Sequence, residues 1–334
     1  MSVVEATCEP VFVVGMNGSG TTMLLDCLGR HPQLYAFREE TRLIPFLMAR
    51  QDVYGDLAVD ANLRRLWDDV RTLPVFREAN GGTPVPLPDD WRDQPRSLGG
   101  ILDAVFRYFA FAEDKRRWCE KTPQHVQHLR ALGEMFPQAK FVHVIRDGRD
   151  CAASFHRRWY RQPELTVFRW KKVVAMGRAQ GRELGASRYL EVRYEDLTAR
   201  PEPALRAICE FLGLPFDAAV LESDQPYLET DPNEDARGLR PNSGKWEQYF
   251  PPQTRERLER IAGRMLARCG YDTSRPNSDV DISRWQRRYW AVKEASLAYL
   301  REIWRKLNGK LKRPWRVILA KPVTALRHRQ HNVY

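Results

Sequence analysis

The sequence predicts an α/β fold in which helices flank a central, mostly parallel sheet. Three short apolar runs rich in β-branched residues, 11–14, 139–145 and 189–194, have the length and composition of buried strands. Helix signals follow them, such as the hydroxyl start and glycine end of 21–29 and the proline entry of 201–212. Strands that alternate with helices are typical of parallel sheets with right-handed crossovers.

The predicted α/β unit spans residues 8–275 and contains one interruption. Residues 52–117 have a mixed helical and loop pattern, with a proline-rich stretch at 83–95. We interpret this segment as an insertion over the carboxyl edge of the sheet, where acceptors bind in such folds; a surface excursion without a role is the alternative. A polar linker at 273–279 leads into residues 280–334, which are predicted to form a basic, amphipathic, helical C-terminal extension.

The net charge of +11 is unevenly distributed along the chain. Residues 284–334 contain 14 Lys/Arg and 2 Asp/Glu, so the preceding residues carry a net charge of −1. An anion site in the body must therefore arise from local placement of charge. The N-terminus lacks a basic region, and the six cysteines are scattered without CxxC spacing. We expect a cytoplasmic protein without a secretory leader, a disulfide framework or a metal site.

The loop after the first predicted strand has the G-x-x-x-x-G skeleton of a P-loop. Its glycines let backbone N–H groups approach phosphate oxygens, and the following helix N-terminus favours negative charge. ATP-binding loops continue with lysine where this chain has Thr21, so the loop suits a phosphate-like anion but lacks the main cation for a γ-phosphate. A tight turn without a ligand is the alternative. The candidate ligands are Asn17, Gly18, Ser19, Gly20, Thr21 and Thr22.

Three stretches resemble sulfotransferases. The sequence GSGTT between a strand and a helix resembles their 5′-phosphosulfate loop. Residues 31–45, HPQLYAFREETRLIP, resemble tyrosylprotein sulfotransferases, and WCEKTPQH at 118–125 with the following FPQAKFVHVIRD resembles bacterial and carbohydrate sulfotransferases. The resemblance implies that 8–275 is a sulfotransferase domain. Such a domain moves a sulfuryl group from 3′-phosphoadenosine-5′-phosphosulfate (PAPS) to an acceptor hydroxyl on a sugar, glycolipid, small metabolite or tyrosine.

The resemblance also implies roles for four residues near the reacting groups. Glu40 matches the glutamate that acts as general base in tyrosylprotein sulfotransferases, and Arg42 matches the substrate-binding arginine beside it. Lys121 is expected to stabilise the leaving phosphate. His125 is the rival base, since some sulfotransferases use histidine. The alternatives are a solvated carboxylate at position 40 and a structural histidine at position 125.

A second group of residues matches the 3′-phosphate site of sulfotransferases. Arg146 ends the second predicted strand, and Ser154 lies about two turns along the next helix, predicted at about 150–160. By the same resemblance, Arg158 matches a further phosphate contact of the family. Guanidinium groups bind phosphate oxygens bidentately. In isolation these residues also fit a surface salt-bridge cluster. Tyr194 resembles the tyrosine near the nucleotide, with a core tyrosine as the alternative.

A late basic segment, 237–246, resembles the one that closes over the nucleotide in this family, although an ordinary solvated loop has the same composition. Its candidate ligands are Arg240, Ser243 and Lys245.

One position departs from the family pattern. Sulfotransferases usually have Arg or Lys where this chain has Gly18, and that side chain normally stabilises the phosphosulfate. We therefore expect either a lower catalytic rate or stabilisation of the phosphosulfate by Lys121. A catalytically weak nucleotide-binding scaffold therefore stays open, as does a P-loop kinase-like phosphotransferase.

The C-terminal extension combines aromatic and basic residues. Four of the ten tryptophans follow residue 284, and apolar positions recur at helical spacing among the basic ones. We expect 284–311 to contact an anionic membrane surface peripherally, or to pack on its own domain or on a second subunit as a homodimer. Nucleic acid is not an expected partner, since the body contains no recognised nucleic-acid motif.

Overall fold

Five strands form one parallel sheet in the computed structural model, which describes residues 9–42, 44–49, 51–222 and 239–307. The strand order is β2-β3-β1-β4-β5. The α/β prediction is confirmed, and the three predicted strands are β1, β4 and β5. The strands are β1 (Val11–Gly15), β2 (Leu34–Phe37), β3 (Arg117–Glu120), β4 (Lys140–Ile145) and β5 (Tyr189–Arg193).

The strand register brings the carboxyl ends of the strands to one edge of the sheet. Strand β1 lies in the centre, with Gly15 opposite Val144 of β4 and Phe12 opposite Glu120 of β3. Glu120 also lies opposite Phe37, the last residue of β2. The segments that leave β2, β3, β1 and β4 therefore begin side by side at this edge, where doubly wound folds bind ligands.

Helices cover both faces of the sheet. Phe12 and Val14 of β1 belong to an apolar core that includes α5, whereas Val11 and Val13 pack with α1 and α10. This alternation follows from the two-residue period of a strand. The helices are α1 (Thr21–Gly29), α2 (Ile44–Met48), α3 (Asp60–Arg71), α4 (Pro74–Ala79), α5 (Leu98–Ala112), α6 (Leu129–Met135), α7 (Gly148–Trp159), α8 (Pro163–Leu184), α9 (Tyr194–Ala199), α10 (Pro201–Leu212), α11 (Lys245–Tyr249), α12 (Pro252–Arg268) and α13 (Arg284–Leu307).

The insertion at 52–117 is part of the hydrophobic core. Trp67, Phe76 and Phe106 are fully buried and join the cluster that contains Phe12. The Phe106 ring stacks on Trp118 of β3 with 4.2 Å between the ring centroids. The segment therefore contributes a layer on one sheet face, through α5, and is more than a surface excursion. Its role toward an acceptor stays a prediction.

The residues after α12 pack back onto the domain. The amide of Arg264 donates to the carbonyl of Ser278 at 2.8 Å, and the amide of Val280 donates to the carbonyl of Arg260 at 2.9 Å. The predicted linker is thus hydrogen-bonded along α12. Among the described helices, none is both long enough and apolar enough to span a bilayer.

Candidate active site

The loop between β1 and α1 has the backbone geometry of an anion site. Gly18 and Gly20 have φ of +83° and +97°, in the left-handed region that favours glycine. Gly20 precedes α1 without a side-chain cap, and the first N–H groups of a helix have no intrahelical acceptor. These N–H groups and the helix dipole form a site for a phosphate-like anion. The loop therefore fits the predicted phosphate site.

The buried hydroxyl side chains of the loop, Ser19 and Thr21, also suit an oxygen-rich ligand. Ser19 is buried, and its Oγ has no hydrogen-bond partner among the described atoms. Thr21 is buried, Thr22 is exposed at the helix start and Asn17 is half-buried. Buried hydroxyls normally have partners, so the orphaned Ser19 Oγ fits a ligand oxygen.

Arg146 connects the loop to two distant segments. Its Nη1 donates to the carbonyl of Gly18 at 3.2 Å, and its Nη2 donates to the carbonyl of Asn242 at 2.8 Å. The guanidinium carbon lies 4.3 Å from the centroid of the Tyr194 ring. That ring packs against Gly20, where an added Cβ would lie 2.4 Å from Tyr194 Cδ2. Arg146, Tyr194 and the loop therefore form one contiguous wall.

Arg158 is the second cation of this wall. Burial, together with the charges of Arg146 and Arg157, lowers the pKa of Arg158 to about 10. Neither Arg146 nor Arg158 forms an ion pair with a carboxylate of the described residues, and the Nε of each is buried without an acceptor. The buried Ser154 Oγ, one helical turn earlier, likewise has no partner. Two adjacent guanidinium groups and a hydroxyl suit one phosphate.

The neighbouring charges are structural. Arg149 is buried and forms ion pairs with Asp147 at 2.7 Å and Glu259 at 2.5 Å. Asp150 accepts hydrogen bonds from the amides of Gly244 at 2.7 Å and Trp246 at 3.0 Å. The salt-bridge cluster that was the alternative for Arg146 therefore describes Arg149, while Asp150 fixes the late basic segment.

In the late segment, a residue that the sequence did not indicate contacts the wall. Asn242 supplies its carbonyl to Arg146, and its buried Oδ1 has no partner among the described atoms. The side chains that sequence reasoning selected in this segment are exposed, namely Arg240, Ser243 and Lys245. A backbone contact leaves no signature in side-chain chemistry, so no sequence signal points to Asn242.

Glu40 and Lys121 meet because they follow adjacent strands. Lys121 Nζ donates to Glu40 Oε1 at 2.8 Å, and Arg42 Nε donates to Glu40 Oε2 at 2.7 Å. Burial opposes the charge on Glu40, but Lys121 and Arg42 outweigh it and hold the pKa of this carboxyl below its ordinary value. Glu40 is therefore an ionised proton acceptor at neutral pH, with both oxygens hydrogen-bonded.

Glu120, which sequence reasoning missed, orients His125. Its Oε2 lies 3.1 Å from His125 Nδ1, and its Oε1 accepts from the Thr41 hydroxyl at 2.7 Å and from Thr122. Burial opposes ionisation, but His125 and the hydroxyls outweigh it, so the pKa of Glu120 is lowered. With Nδ1 bound to a carboxylate, Nε2 is the free nitrogen, and it has no partner among the described atoms.

The two groups flank the glycine loop. Sheet order puts Glu40 and Lys121 after β2 and β3 on one side of β1, and Arg146 after β4 on the other. The arrangement can bind a doubly phosphorylated ligand and hold a proton acceptor beside the loop. Within the described part of the chain, no cluster of three or more His, Cys, Asp or Glu suits a metal ion.

The chain is similar to sulfotransferases by three comparisons. A family model described as "Sulfotransferase family" matches residues 10–218. Protein-tyrosine sulfotransferase 2 of Gallus gallus is 27% identical over 289 residues, which cover 78% of this chain and 69% of that protein. Omega-hydroxy-beta-dihydromenaquinone-9 sulfotransferase Stf3 of Mycobacterium bovis is 31% identical over 198 residues, which cover 54% of this chain and 49% of that protein.

Solved structures share the fold. The sulfotransferase domain of the Synechococcus PCC 7002 olefin synthase superposes with a TM-score of 0.53 at 26% identity, over 81% of this chain and 98% of that domain. The sulfotransferase domain of the curacin biosynthetic pathway gives a TM-score of 0.54 at 20% identity, over 79% and 98%. The second likeness concerns the fold alone.

Proposed function

Because the chain belongs to the sulfotransferase family and is a sulfotransferase, we propose that it moves a sulfuryl group from PAPS to an acceptor hydroxyl. The observation that supports this donor best is the contact between Arg146 and the glycine loop. It joins a helix N-terminus suited to one anion with a guanidinium pair suited to a second. A nucleotide with phosphate on both its 3′ and 5′ oxygens needs such a pair of sites.

The buried polar atoms support this assignment by their chemistry. The 3′-phosphate takes Arg146, Arg158 and Ser154, whose buried Nε and Oγ atoms have no acceptor or donor among the described residues. The 5′-phosphosulfate takes the first amides of α1, together with Ser19 and Thr21. In our proposal the Tyr194 ring, held between Arg146 and Gly20, lies along the nucleotide.

In the proposed transfer, Glu40 removes the proton from the acceptor hydroxyl. The acceptor oxygen forms a bond to sulfur as the bond from sulfur to the 5′-phosphate oxygen breaks, and the electron pair stays on that oxygen. Lys121 and the loop amides stabilise the developing negative charge there. When Lys121 turns from Glu40 to the leaving oxygen, Glu40 loses a positive partner and becomes more basic.

His125 is the competing base in this proposal. The Glu120 carboxylate supports the tautomer with Nε2 free, which is the form that accepts a proton. However, His125 is fully buried, whereas Glu40 is partly exposed at the sheet edge. Accessibility to an acceptor therefore favours Glu40.

Gly18 is compatible with transfer in this proposal, because Arg146 places a cation beside the main chain at this position. The Gly18 carbonyl binds Arg146, and Lys121 is the buried cation of the β3 side. We assign the usual task of the missing basic side chain to Lys121. Gly18 favours the alternative of a scaffold without activity. A kinase-like activity is disfavoured because Thr21 replaces the lysine of ATP-binding loops and because the chain belongs to the sulfotransferase family.

The acceptor class is open to a direct test with labelled donor. The two relatives are named for protein tyrosine and for an omega-hydroxylated menaquinone as acceptors, so we propose a hydroxyl on a phenol or a long-chain alcohol. Purified protein is incubated with PAPS carrying labelled sulfur and, separately, with a tyrosine peptide, a long-chain lipid alcohol and a sugar. Transfer of label to at least one acceptor, lost in Lys121→Ala, is expected. If the protein binds the nucleotide but transfers label neither to an acceptor nor to water, the result supports the alternative of a catalytically weak scaffold.

A further inference from the structure

The C-terminal helix α13 has one face that is fixed to the domain. Glu294 is 6% exposed and accepts hydrogen bonds from Arg161 Nη1 at 2.9 Å and from the amide of Gln162 at 2.8 Å. Arg287 lies over the Phe168 ring, 5.2 Å from its centroid, and Trp290 packs against the same core cluster. Positions 287, 290 and 294 share one side of a helix. The helix is thus oriented by its inner side.

The opposite side of the same helix carries large apolar residues in solvent. Trp285, Tyr289 and Val292 are 79%, 65% and 65% exposed. Their spacing of four and then three residues sets them in one row, the outer stripe, about half a turn from Glu294. In the sequence this spacing continues at Tyr299 and Ile303. Isolated exposed apolar side chains are ordinary, but an ordered row of three on a fixed helix indicates a contact surface.

Charge around the outer stripe has one sign. Arg284, Arg288 and Lys293 are exposed, whereas Glu294, the one acidic residue of 284–296, is turned inward. Residues 297–334 add ten Lys/Arg and one Glu in the sequence. A row of aromatic side chains between cations matches the interface of an anionic bilayer, where rings lie at headgroup level and cations meet phosphate.

The same charges disfavour a second copy of this chain as the partner. A symmetric dimer through the outer stripe brings each basic flank against its own equivalent, and like charges in contact are unfavourable. Nucleic acid accounts for the cations but leaves the apolar row without a function.

We propose that α13 docks the enzyme peripherally on an anionic membrane surface, with Trp285, Tyr289 and Val292 in the interface and Arg284, Arg288 and Lys293 against lipid headgroups. The helix lies in the plane of the surface because its inner side is held by Arg161 and by the core around Phe168. Docking in this way holds the sulfotransferase domain in one fixed orientation relative to the bilayer. Docking through α13 does not depend on which donor or acceptor the enzyme uses.

The test is flotation of the full chain with two kinds of vesicle, phosphatidylcholine alone and phosphatidylserine with phosphatidylcholine in a one-to-three ratio. We compare the stripe variant Trp285→Ser, Tyr289→Ser, Val292→Ser with a control that removes exposed apolar residues elsewhere, Phe111→Ser, Met176→Ser. A charge variant carries Arg284→Gln, Arg288→Gln, Lys293→Gln. All six positions of the two test variants are exposed, and unchanged circular dichroism and melting temperature verify folding.

The expected result is flotation with the anionic vesicles and little with the neutral ones. The stripe variant loses at least about tenfold in partitioning, the charge variant loses about fivefold for each cation removed, and the control is unchanged. Equal flotation of the stripe variant and the control overturns the proposal, since the remaining basic chain then explains lipid binding. Absence of flotation overturns it too. Light scattering that shows a dimer lost in the stripe variant, or binding of DNA lost in it, assigns the surface to those partners instead.

Discussion

Arg146 donates a hydrogen bond to the carbonyl of Gly18 across 3.2 Å, so the residue after β4 and the loop after β1 are in direct contact. The same guanidinium holds Asn242 and covers Tyr194. One buried cation thereby links four segments that are far apart in sequence. The arrangement places a buried cation beside a loop that has no lysine of its own.

Replacing Arg146 with Ala is expected to weaken binding of adenosine 3′,5′-bisphosphate by about 10- to 100-fold, because a charge-assisted hydrogen bond to a ligand contributes roughly 1.5–3 kcal/mol. Isothermal titration calorimetry measures the change. The matched control is Arg182→Ala, which removes an exposed arginine from α8. Equal affinities of the two variants remove Arg146 from the nucleotide site.

Glu40→Gln tests the proposed base. Turnover is expected to fall by about 10²–10⁴-fold, with little change in bisphosphate affinity, because the amide keeps the size of the side chain but cannot accept the proton. Glu39→Gln, a change to the exposed neighbour, is the control. Since the pKa of Glu40 is lowered, kcat/KM should stay level as the pH falls to about 4.5 and decline only below it. A decline near neutral pH indicates a histidine base instead.

Gly18→Ala is expected to lower the free energy of unfolding through two separate effects. The left-handed backbone strains alanine, and the added Cβ lies 2.9 Å from Phe155 Cε2. Together these effects amount to about 2–3 kcal/mol, whereas Gly81→Ala, with φ of +65° and no neighbour within 4 Å, carries about 1 kcal/mol of strain alone. Thermal or urea unfolding compares the two. If Gly18→Arg raises activity without loss of stability, the loop tolerates the usual family residue and this account of Gly18 is wrong.

Glu120 gives a prediction about acid stability. Its pKa is lowered in the folded protein, so its stabilising effect is complete above the unfolded pKa of about 4.5 and is lost as the pH falls through the folded value. Glu120→Gln should lower the free energy of unfolding by about 2–4 kcal/mol at neutral pH. The difference in free energy of unfolding between Glu120→Gln and the parent protein should become smaller below about pH 4.5. If this difference in unfolding free energy is constant with pH, the lost interaction does not depend on the charge of the Glu120 carboxylate.

The sequence predicted the three strands that are apolar runs rich in β-branched residues, and it missed β2 and β3. Strand β3 (RWCE) contains Arg117 and Glu120, and β2 (LYAF) is a four-residue apolar run without a β-branched residue. The proximity of Glu40 and Lys121 depends on the pairing of these two strands. It was available to sequence reasoning only through resemblance, since residues 81 apart have no local signal.

The roles of Glu120 and Asn242 were missed for a different reason. Glu120 acts through four hydrogen-bond donors on Thr41, Thr122 and His125, and Asn242 acts through its carbonyl. Neither fact is encoded in residue type or spacing. The domain boundaries and the cytoplasmic location stay predictions, as do the contributions of the exposed Ser243 and Lys245.

The most direct measurement is a calorimetric titration of the intact protein with adenosine 3′,5′-bisphosphate, adenosine 5′-monophosphate and ATP under identical conditions. If the loop and the Arg146–Arg158 pair bind two phosphorylated ends of one nucleotide, the bisphosphate binds at least about tenfold more tightly than either competitor. Equal affinity for the bisphosphate and the 5′-monophosphate, or tighter binding of ATP, contradicts the account.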